Sequence, residues 1–411
     1  MEKRITPTNV CLTMFIKKLS ITNYRLFPAT EDFEIDDLNI PDAQNEGSGL
    51  TLIVGDNGCG KTTILDALAL PMLAYKAEQF ALSDFYEPSE KSKISIFSNR
   101  NFDYDRSMPG AAYKGKGICF EAGMRKVSRG NYLSKIVVTD RKFIRADGET
   151  KPEDGKPDLR VDVNNPWKGS RFSENDVLFL DKNRTFQTRT GTYNPTRFDR
   201  LMEDLNYQYI KANEEAGLSD LNALLSPAQG VSTNDDLSAA INKFKEISGI
   251  DITLDLIDNW EPFKNAFMAI RKDNLQFVNL SNLGSGYEMI FSLLYSFYLS
   301  SSSRKDQIIL IDEPELHLHP KLQQAFVRVL LEFSKTAQVV ITTHSPLLVK
   351  QVLCNDYTKV VVLNKTKSEV KICPLEERLL PYVSANEINF VGFGIPTEEY
   401  HNELYEELKT Q

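Results

Sequence analysis

Gly55-Asp56-Asn57-Gly58-Cys59-Gly60-Lys61-Thr62 matches the pattern G-x-x-x-x-G-K-[ST] in full. Glycines in such a turn let backbone N–H groups close around phosphate oxygens, at the positive end of the helix that follows. Lys61 supplies a cation for β- and γ-phosphate charge, and Thr62, with Thr63 behind it, places a hydroxyl on Mg²⁺. The stretch "IILIDEPE" brings the matching acids. Asp312, ending an apolar run, can hold Mg²⁺ through water, and Glu313 beside it can polarise an attacking water. His344 ends "VVITTH", where it can donate a hydrogen bond to a γ-phosphate; the alternative is a helix cap ahead of Ser345-Pro346. These residue types are suited to binding ATP with Mg²⁺ and hydrolysing it. A second Gly/Ser-rich stretch, "LSNLGSGYEM", then needs a reason, because one phosphate loop is enough for one nucleotide.

The elements that must carry these groups are legible in the hydrophobic pattern. "LTLIV" (50–54) is a continuous apolar run, as a buried central strand requires, and "TTILDALALPML" continues from the loop as a helix stopping near Pro71. "QIILIDE", "AQVVITTH" and "KVVVLN" are three further hydrophobic strands, with the amphipathic helix "KLQQAFVRVLLEFSK" between the first two. Strand–helix–strand order favours a parallel sheet. "FIKKLSITNYRLF" alternates like a half-buried strand, and "GICFEAGM" and "YLSKIVVTDRKFI" look like antiparallel strands. "DVLFLDKNR" begins as a short strand, and 199–250 has helical spacing at Leu201, Leu205 and Tyr209 and at Leu237, Ile241 and Phe244.

The set "GDNGCGKT", "LGSGYE", "IILIDEPELHLHP" and "VVITTHS" resembles the ABC-type ATPases of the RecF, Rad50/SMC and OLD class. By that resemblance the fold is α/β, an ABC-ATPase head: a P-loop NTPase with a mainly parallel core sheet, an antiparallel subdomain and a mixed α/β and helical insertion. The resemblance also accounts for the second Gly/Ser stretch. Ser285, Gly286 and Glu288 would form a signature that covers the γ-phosphate held by a partner subunit, which implies a head-to-tail homodimer with two ATP molecules in its interface. Lys61, Glu313 and His344 are then the catalytic set, and "PELHLHP" runs along the dimer interface. Asn57, Gly58, Cys59, Gly60, Lys61, Thr62 and Thr63 bind nucleotide, and Thr62 and Asp312 hold Mg²⁺. Asn23-Tyr24-Arg25 looks like the family's N-terminal "NFR" element, which makes Arg25 a base- or phosphate-contacting residue. The signature departs from the common Leu-Ser-x-Gly, since Gly284 takes the usual Ser place. Arg184 and Gln187 are candidates for the coupling glutamine position. His317 and His319 invite a zinc reading, but without clustered His or Cys nearby interface packing is preferred.

The expected division is 1–13 as a disordered extension, 14–75 as an N-lobe with the phosphate loop, 76–275 as the insertion, 276–365 as a C-lobe and 366–411 as a tail. Within the insertion, Lys114, Lys116, Arg125, Lys126 and Arg129, with Tyr113 and Phe120 among them, could touch nucleic-acid backbone; lysines that discourage strand pairing are the preferred reading. After His344 there is no Asp-x-Asp following a strand and no His-rich motif, so no nuclease centre is expected; His401 is placed on an exposed amphipathic helix. Core and tail resemble the stand-alone ATPases of bacterial anti-phage systems of the Septu and PARIS type. That resemblance implies slow ATP hydrolysis in a sensor and scaffold, possible stacking of dimers into a higher oligomer, and a separately encoded nuclease or toxin as effector. The alternative is a DNA-repair ATPase that clamps DNA in an ATP-dependent dimer.

Composition agrees with these classes. The chain has 411 residues, 41% hydrophobic and 26% charged, and a formal net charge of −9, which disfavours a surface coated in positive potential. No apolar run approaches the roughly 18 residues of a membrane span. Five scattered cysteines without a Cys-x-x-Cys pair, and an N-terminus without a signal-peptide core, point to the cytoplasm.

Overall fold

Leu50–Gly55, Ile308–Asp312 and Gln338–Thr343 are buried along their whole length, as strands covered on both faces must be. They are neighbours in one sheet of a computed structural model that describes residues 15–72, 80–103, 114–127, 135–145, 177–180, 233–254, 267–271, 276–279, 284–302, 308–366, 369–373, 380–381 and 384–410. In chain order the strands are β1 (Ile16–Thr22), β2 (Phe33–Ile35), β3 (Leu50–Gly55), β4 (Ser92–Asp103), β5 (Lys114–Val127), β6 (Lys135–Arg145) and β7 (Val177–Leu180). They continue with β8 (Asp251–Leu254), β9 (Phe267–Arg271), β10 (Gln276–Asn279), β11 (Ile308–Asp312), β12 (Gln338–Thr343), β13 (Lys359–Lys365) and β14 (Val370–Cys373). The helices among the described residues are α1 (Lys61–Ala69), α2 (Thr233–Ser248), α3 (Ser285–Ser302), α4 (Pro320–Phe333), α5 (Pro346–Leu353), α6 (Ala385–Phe393) and α7 (Glu398–Thr410).

The chain divides into two compact units, one of Met1–Ile40, Asp66–Val177 and Lys367–Glu369, the other of Pro41–Leu65, Leu178–Thr366 and Val370–Gln411. The first holds an antiparallel sheet in the order β2-β1-β4-β5-β6. Its inward residues include Leu19, Ile21, Ile94, Ile96 and Phe120, all fully or nearly fully buried. Phe120 is therefore core and packs on Phe80 at 5.3 Å, which removes it as an aromatic for stacking on bases. Lys114, Lys116, Arg125 and Lys126 lie on β5, while Tyr113 and Arg129 fall outside the described residues.

The alternating stretch 15–27 does not run through as one strand. β1 stops at Thr22, and Asn23 and Arg25 adopt left-handed backbone with φ of 55° and 50°. Asparagine tolerates that region, and the Asn23 side chain anchors the turn to the segment 87–90, distant in sequence. Its Nδ2 donates to the carbonyls of Glu87 and Glu90 at 2.9 Å, and its Oδ1 accepts from the Glu87 N–H at 2.6 Å.

The second unit is built on a six-stranded sheet in the order β14-β13-β3-β12-β11-β7, in which β13, β3, β12 and β11 are mutually parallel and β14 is antiparallel to β13. Helix α4 has its apolar stripe as the sequence spacing predicts, burying Phe326, Val327, Val329, Leu330 and Phe333. The Phe297 ring of α3 stacks on Phe333 at 3.5 Å, and Phe244 of α2 meets Phe291 of α3 edge-on at 5.8 Å. Residues 1–14, the helical repeat at Leu201, Leu205 and Tyr209, and Arg184 and Gln187 lie outside the described residues. His401 is exposed on α7, as expected.

Gly49 leads the chain into β3 through a gap with no room for a side chain. A Cβ there would lie 2.5 Å from the Ala337 carbonyl and 2.6 Å from the Ser334 carbonyl, both backbone atoms that cannot swing aside. The Gly49 N–H donates to Ser334 O at 2.9 Å and its carbonyl accepts from Val339 at 2.8 Å, tying β3 to β12. Gly49→Ala is expected to destabilise the protein by roughly 1–3 kcal/mol, seen as a lower denaturant midpoint at unchanged slope. An unchanged midpoint would mean that the strand entry relaxes freely.

Candidate functional site

The loop after β3 is shaped by glycines where only glycine fits. At Gly55 a Cβ would stand 2.4 Å from the Leu363 carbonyl of β13, and Gly58 and Gly60 have φ of 75° and 97°. The turn closes with the Cys59 N–H on Asp56 O at 3.3 Å, and α1 starts at Lys61. Lys61 folds back over the loop: Nζ donates to Gly55 O at 2.7 Å and Asp56 O at 3.0 Å, and lies 3.3 Å from His344 Nδ1. Burial lowers the Lys61 pKa, opposed by Cys59, Glu313, Asp312 and Glu315. The same burial pushes the Cys59 thiol up, so it behaves as a small packed group.

The acids arrive from the neighbouring strands. Asp312 ends β11 fully buried, in register with Thr342 of β12, whose Oγ1 donates to Asp312 Oδ1 at 2.5 Å. Thr62, one residue into α1, donates to Asp312 Oδ2 at 2.9 Å. Glu313 takes left-handed backbone, φ 45°, a strained state for a non-glycine residue. Its N–H donates to Thr342 O at 3.1 Å and Oγ1 at 3.2 Å, and its Oε1 lies 3.1 Å from His344 Nε2. Pro314–His317 then form a 3-10 turn.

His344 thus bridges Lys61 and Glu313. Since the ammonium can only donate, Nδ1 accepts and the Nε2 proton faces Glu313, which defines a neutral imidazole. Burial lowers its pKa, Lys61 lowers it further, and Glu313 pulls it back up. A histidine whose folded pKa is depressed leaves the unfolded chain binding the proton first, so its contribution to stability is lost as pH falls below the ordinary imidazole value. His344 is expected to titrate below that value by NMR, and Lys61→Ala to raise its midpoint; a midpoint unmoved by Lys61→Ala would remove the Lys61–His344 contact. The helix cap that competed for His344 is supplied by Ser345, whose side chain accepts from the Leu348 N–H.

Lys61, His344 and Glu313 are therefore linked in one chain of contacts and Thr62 with Asp312 in a second, all in the second unit. The donor set suits a phosphate with a hard cation: a desolvated ammonium over a glycine loop, and an all-oxygen pair, Thr62 Oγ1 and Asp312, for Mg²⁺. Ser285, Gly286 and Glu288 open α3, after Gly284 at φ 120°. Arg25 lies in the first unit, with Nη1 on Asp66 at 2.6 Å and Nε on Asp84 at 2.7 Å, its guanidinium 5.0 Å over the Tyr24 ring. His319 caps α4, its Nδ1 accepting from the Lys321 N–H at 3.4 Å. Among the described residues no group of three or more His, Cys, Asp or Glu is arranged for a metal. Sequence reading gave no task to Thr342 or Thr343, and to Glu315 only a place in the interface stretch "PELHLHP", although "ITTH" and "DEPE" carry them beside the assigned residues.

Residues 50–350 match the family described as "AAA domain, putative AbiEii toxin, Type IV TA system". The chain belongs to this family. It is similar to the OLD nuclease of Thermus scotoductus, 24% identical over 343 residues, covering 81% of this chain and 59% of that protein. It is similar to the Septu protein PtuA of Bacillus thuringiensis, 23% identical over 344 residues, covering 76% and 70%. Protein ea59 of Escherichia phage lambda is 21% identical over 301 residues, covering 73% and 46%. The chain thus spans 59% and 46% of the OLD nuclease and ea59 lengths. Among solved structures, an SMC head bound to the C-winged helix domain of ScpA aligns with a TM-score of 0.50 at 15% identity, covering 87% of this chain and 97% of that one. The Smc head with an extended coiled coil from Pyrococcus furiosus, bound to the C-terminal domain of ScpA, aligns at 0.52 and 14%, covering 96% and 100%. The fold is that of an ABC-type ATPase head. No helix among the described residues is long and apolar enough to cross a membrane.

Proposed function

We propose that this chain binds and hydrolyses ATP as an ABC-type ATPase, and that it serves as the sensor and scaffold subunit of an anti-phage defence complex that controls a separately encoded nuclease or toxin. The observation that carries the ATPase reading is the convergence of Lys61, Thr62, Asp312, Glu313 and His344 at the ends of parallel strands β3, β11 and β12. Likeness to the Septu protein PtuA and the OLD nuclease supports the defence role.

In this reading Asn57 to Thr63 wrap the phosphates with backbone N–H groups, and Lys61 turns from the loop carbonyls to the β- and γ-phosphates. Thr62 and Asp312 hold Mg²⁺, which when bound neutralises phosphate charge. Glu313 orients the attacking water and accepts its proton, while the Nε2–H of His344 donates to the γ-phosphate. Ser285, Gly286 and Glu288 act on the nucleotide of a second copy, which makes the active form a homodimer, with stacking of dimers as a further level. Arg25 is the proposed base- or phosphate-contacting residue. The effector supplies the nuclease or toxin chemistry, and the complex works in the cytoplasm.

Affinity purification of Glu313→Gln from its host with ATP tests the assignment. A stoichiometric nuclease or toxin is the expected companion. Nucleic acid with repair proteins and no effector would replace the defence role with a DNA clamp.

A further inference from the structure

Glu315 is a carboxylate at the site that the reaction described above does not use. It sits in the turn after Glu313, and its Oε1 accepts from Thr343 Oγ1 at 2.8 Å and from the backbone N–H of His344 at 2.5 Å. Its Oε2 is buried and takes no hydrogen bond among the described residues. Burial raises its pKa, against the hydrogen bonds from His344, from its own backbone and from Thr343. A turn glutamate that faced water would avoid this desolvation cost. Here it faces inward and spends one oxygen on two consecutive residues at the end of β12.

The neighbouring contacts give that choice a consequence. Thr342 is tied to Asp312 and Glu313, and Ser345 Oγ donates to Gln323 Oε1 at 3.2 Å, with Gln323 in turn donating to Leu318 O at 3.0 Å. Each residue from 342 to 345 is thereby fastened to the segment 312–323, and at 343 and 344 the fastening is Glu315. The His344 ring must span Lys61 Nζ at 3.3 Å and Glu313 Oε1 at 3.1 Å. A bridge that short is sensitive to the backbone it hangs from: a misplacement of about 1 Å can cost on the order of a hundredfold in rate.

We propose that Glu315 is the positioning residue for His344, holding the end of β12 so that the imidazole keeps its bridge between Lys61 and Glu313. The inference rests on the ATPase reading for its consequence, but its geometry can be tested without nucleotide. In the apo protein, amide exchange at His344 is expected to quicken about fivefold or more in Glu315→Ala, which removes the acceptor, and to stay near wild type in Glu315→Gln, whose amide oxygen accepts the same two bonds. With ATP, Glu315→Ala is expected to lower kcat about 10- to 100-fold with KM within about threefold, and Glu315→Gln to recover most of that loss. In a His344→Ala background Glu315→Ala should add less than about twofold, because the two act through one group. Should the alanine variant fail to fold, Glu315→Asp replaces it, being one methylene too short to reach both donors. Unchanged His344 protection, unchanged kcat, or a full loss in the His344→Ala background each overturns the proposal. If wild type does not turn over ATP, the ATPase reading falls separately, and amide exchange alone decides the positioning.

Discussion

Glu313→Gln is expected to lower ATP turnover by about two to four orders of magnitude while ATP still binds. The carboxylate projects from a backbone in the left-handed region, held by two hydrogen bonds to Thr342, and its Oε1 points at His344 Nε2. A residue kept at positive φ beside a buried acid is stored strain, and strain of this kind collects where a side chain must be aimed. Glutamine keeps the shape and can still accept from the Nε2–H, so the fold and the phosphate loop should be undisturbed. What it cannot do is take a proton. Turnover under saturating ATP, set beside nucleotide affinity by titration, separates the two effects. Equal loss of both would place Glu313 in binding instead of in the chemical step.

Lys61→Ala is expected to weaken ATP binding by roughly 10- to 100-fold, the loss of one or more charge-assisted contacts at about 1.5–3 kcal/mol for a bond to a charged group. Lys61 is only 4% exposed, and its donors rest on Gly55 O and Asp56 O. The folded state depresses its pKa, mainly by burial. A lysine depressed in this way costs stability while it is charged, so its removal should leave the melting temperature of the apo protein nearly unchanged or slightly higher. Loss of affinity without loss of stability is the signature of a group kept for a ligand. If the apo protein instead melts much lower and ATP affinity survives, Lys61 is a structural tie across the loop.

How much of this was legible in the sequence depends on distance along the chain. Strand β3, the glycine loop and the start of α1 are contiguous, so the hydrophobic run, the glycines and Lys61-Thr62 specify one another locally. Asp312-Glu313 and His344 were legible because each ends an apolar run, and a parallel sheet brings such ends to one edge. Sequence did not reveal that β13 pairs with β3 beside β12, because strand order depends on crossovers and not on composition. Nor did it reveal Glu315, since hydrogen bonds to Thr343 and His344 join residues 28 and 29 positions apart. The turn at Asn23 and Arg25 was hidden within an alternating pattern, because asparagine and arginine fit a polar strand position as readily as a left-handed turn. The ion pairs of Arg25 with Asp66 and Asp84 are likewise set by tertiary packing.

In the proposed function ATP joins two heads, each covering the other's γ-phosphate with the start of α3. The most direct measurement is the solution mass of Glu313→Gln with and without saturating ATP and Mg²⁺, beside Lys61→Ala under the same conditions. ATP is expected to double the mass of Glu313→Gln and to leave that of Lys61→Ala unchanged. A Glu313→Gln mass that does not respond to ATP, in protein shown to bind it, would contradict the paired-head mechanism.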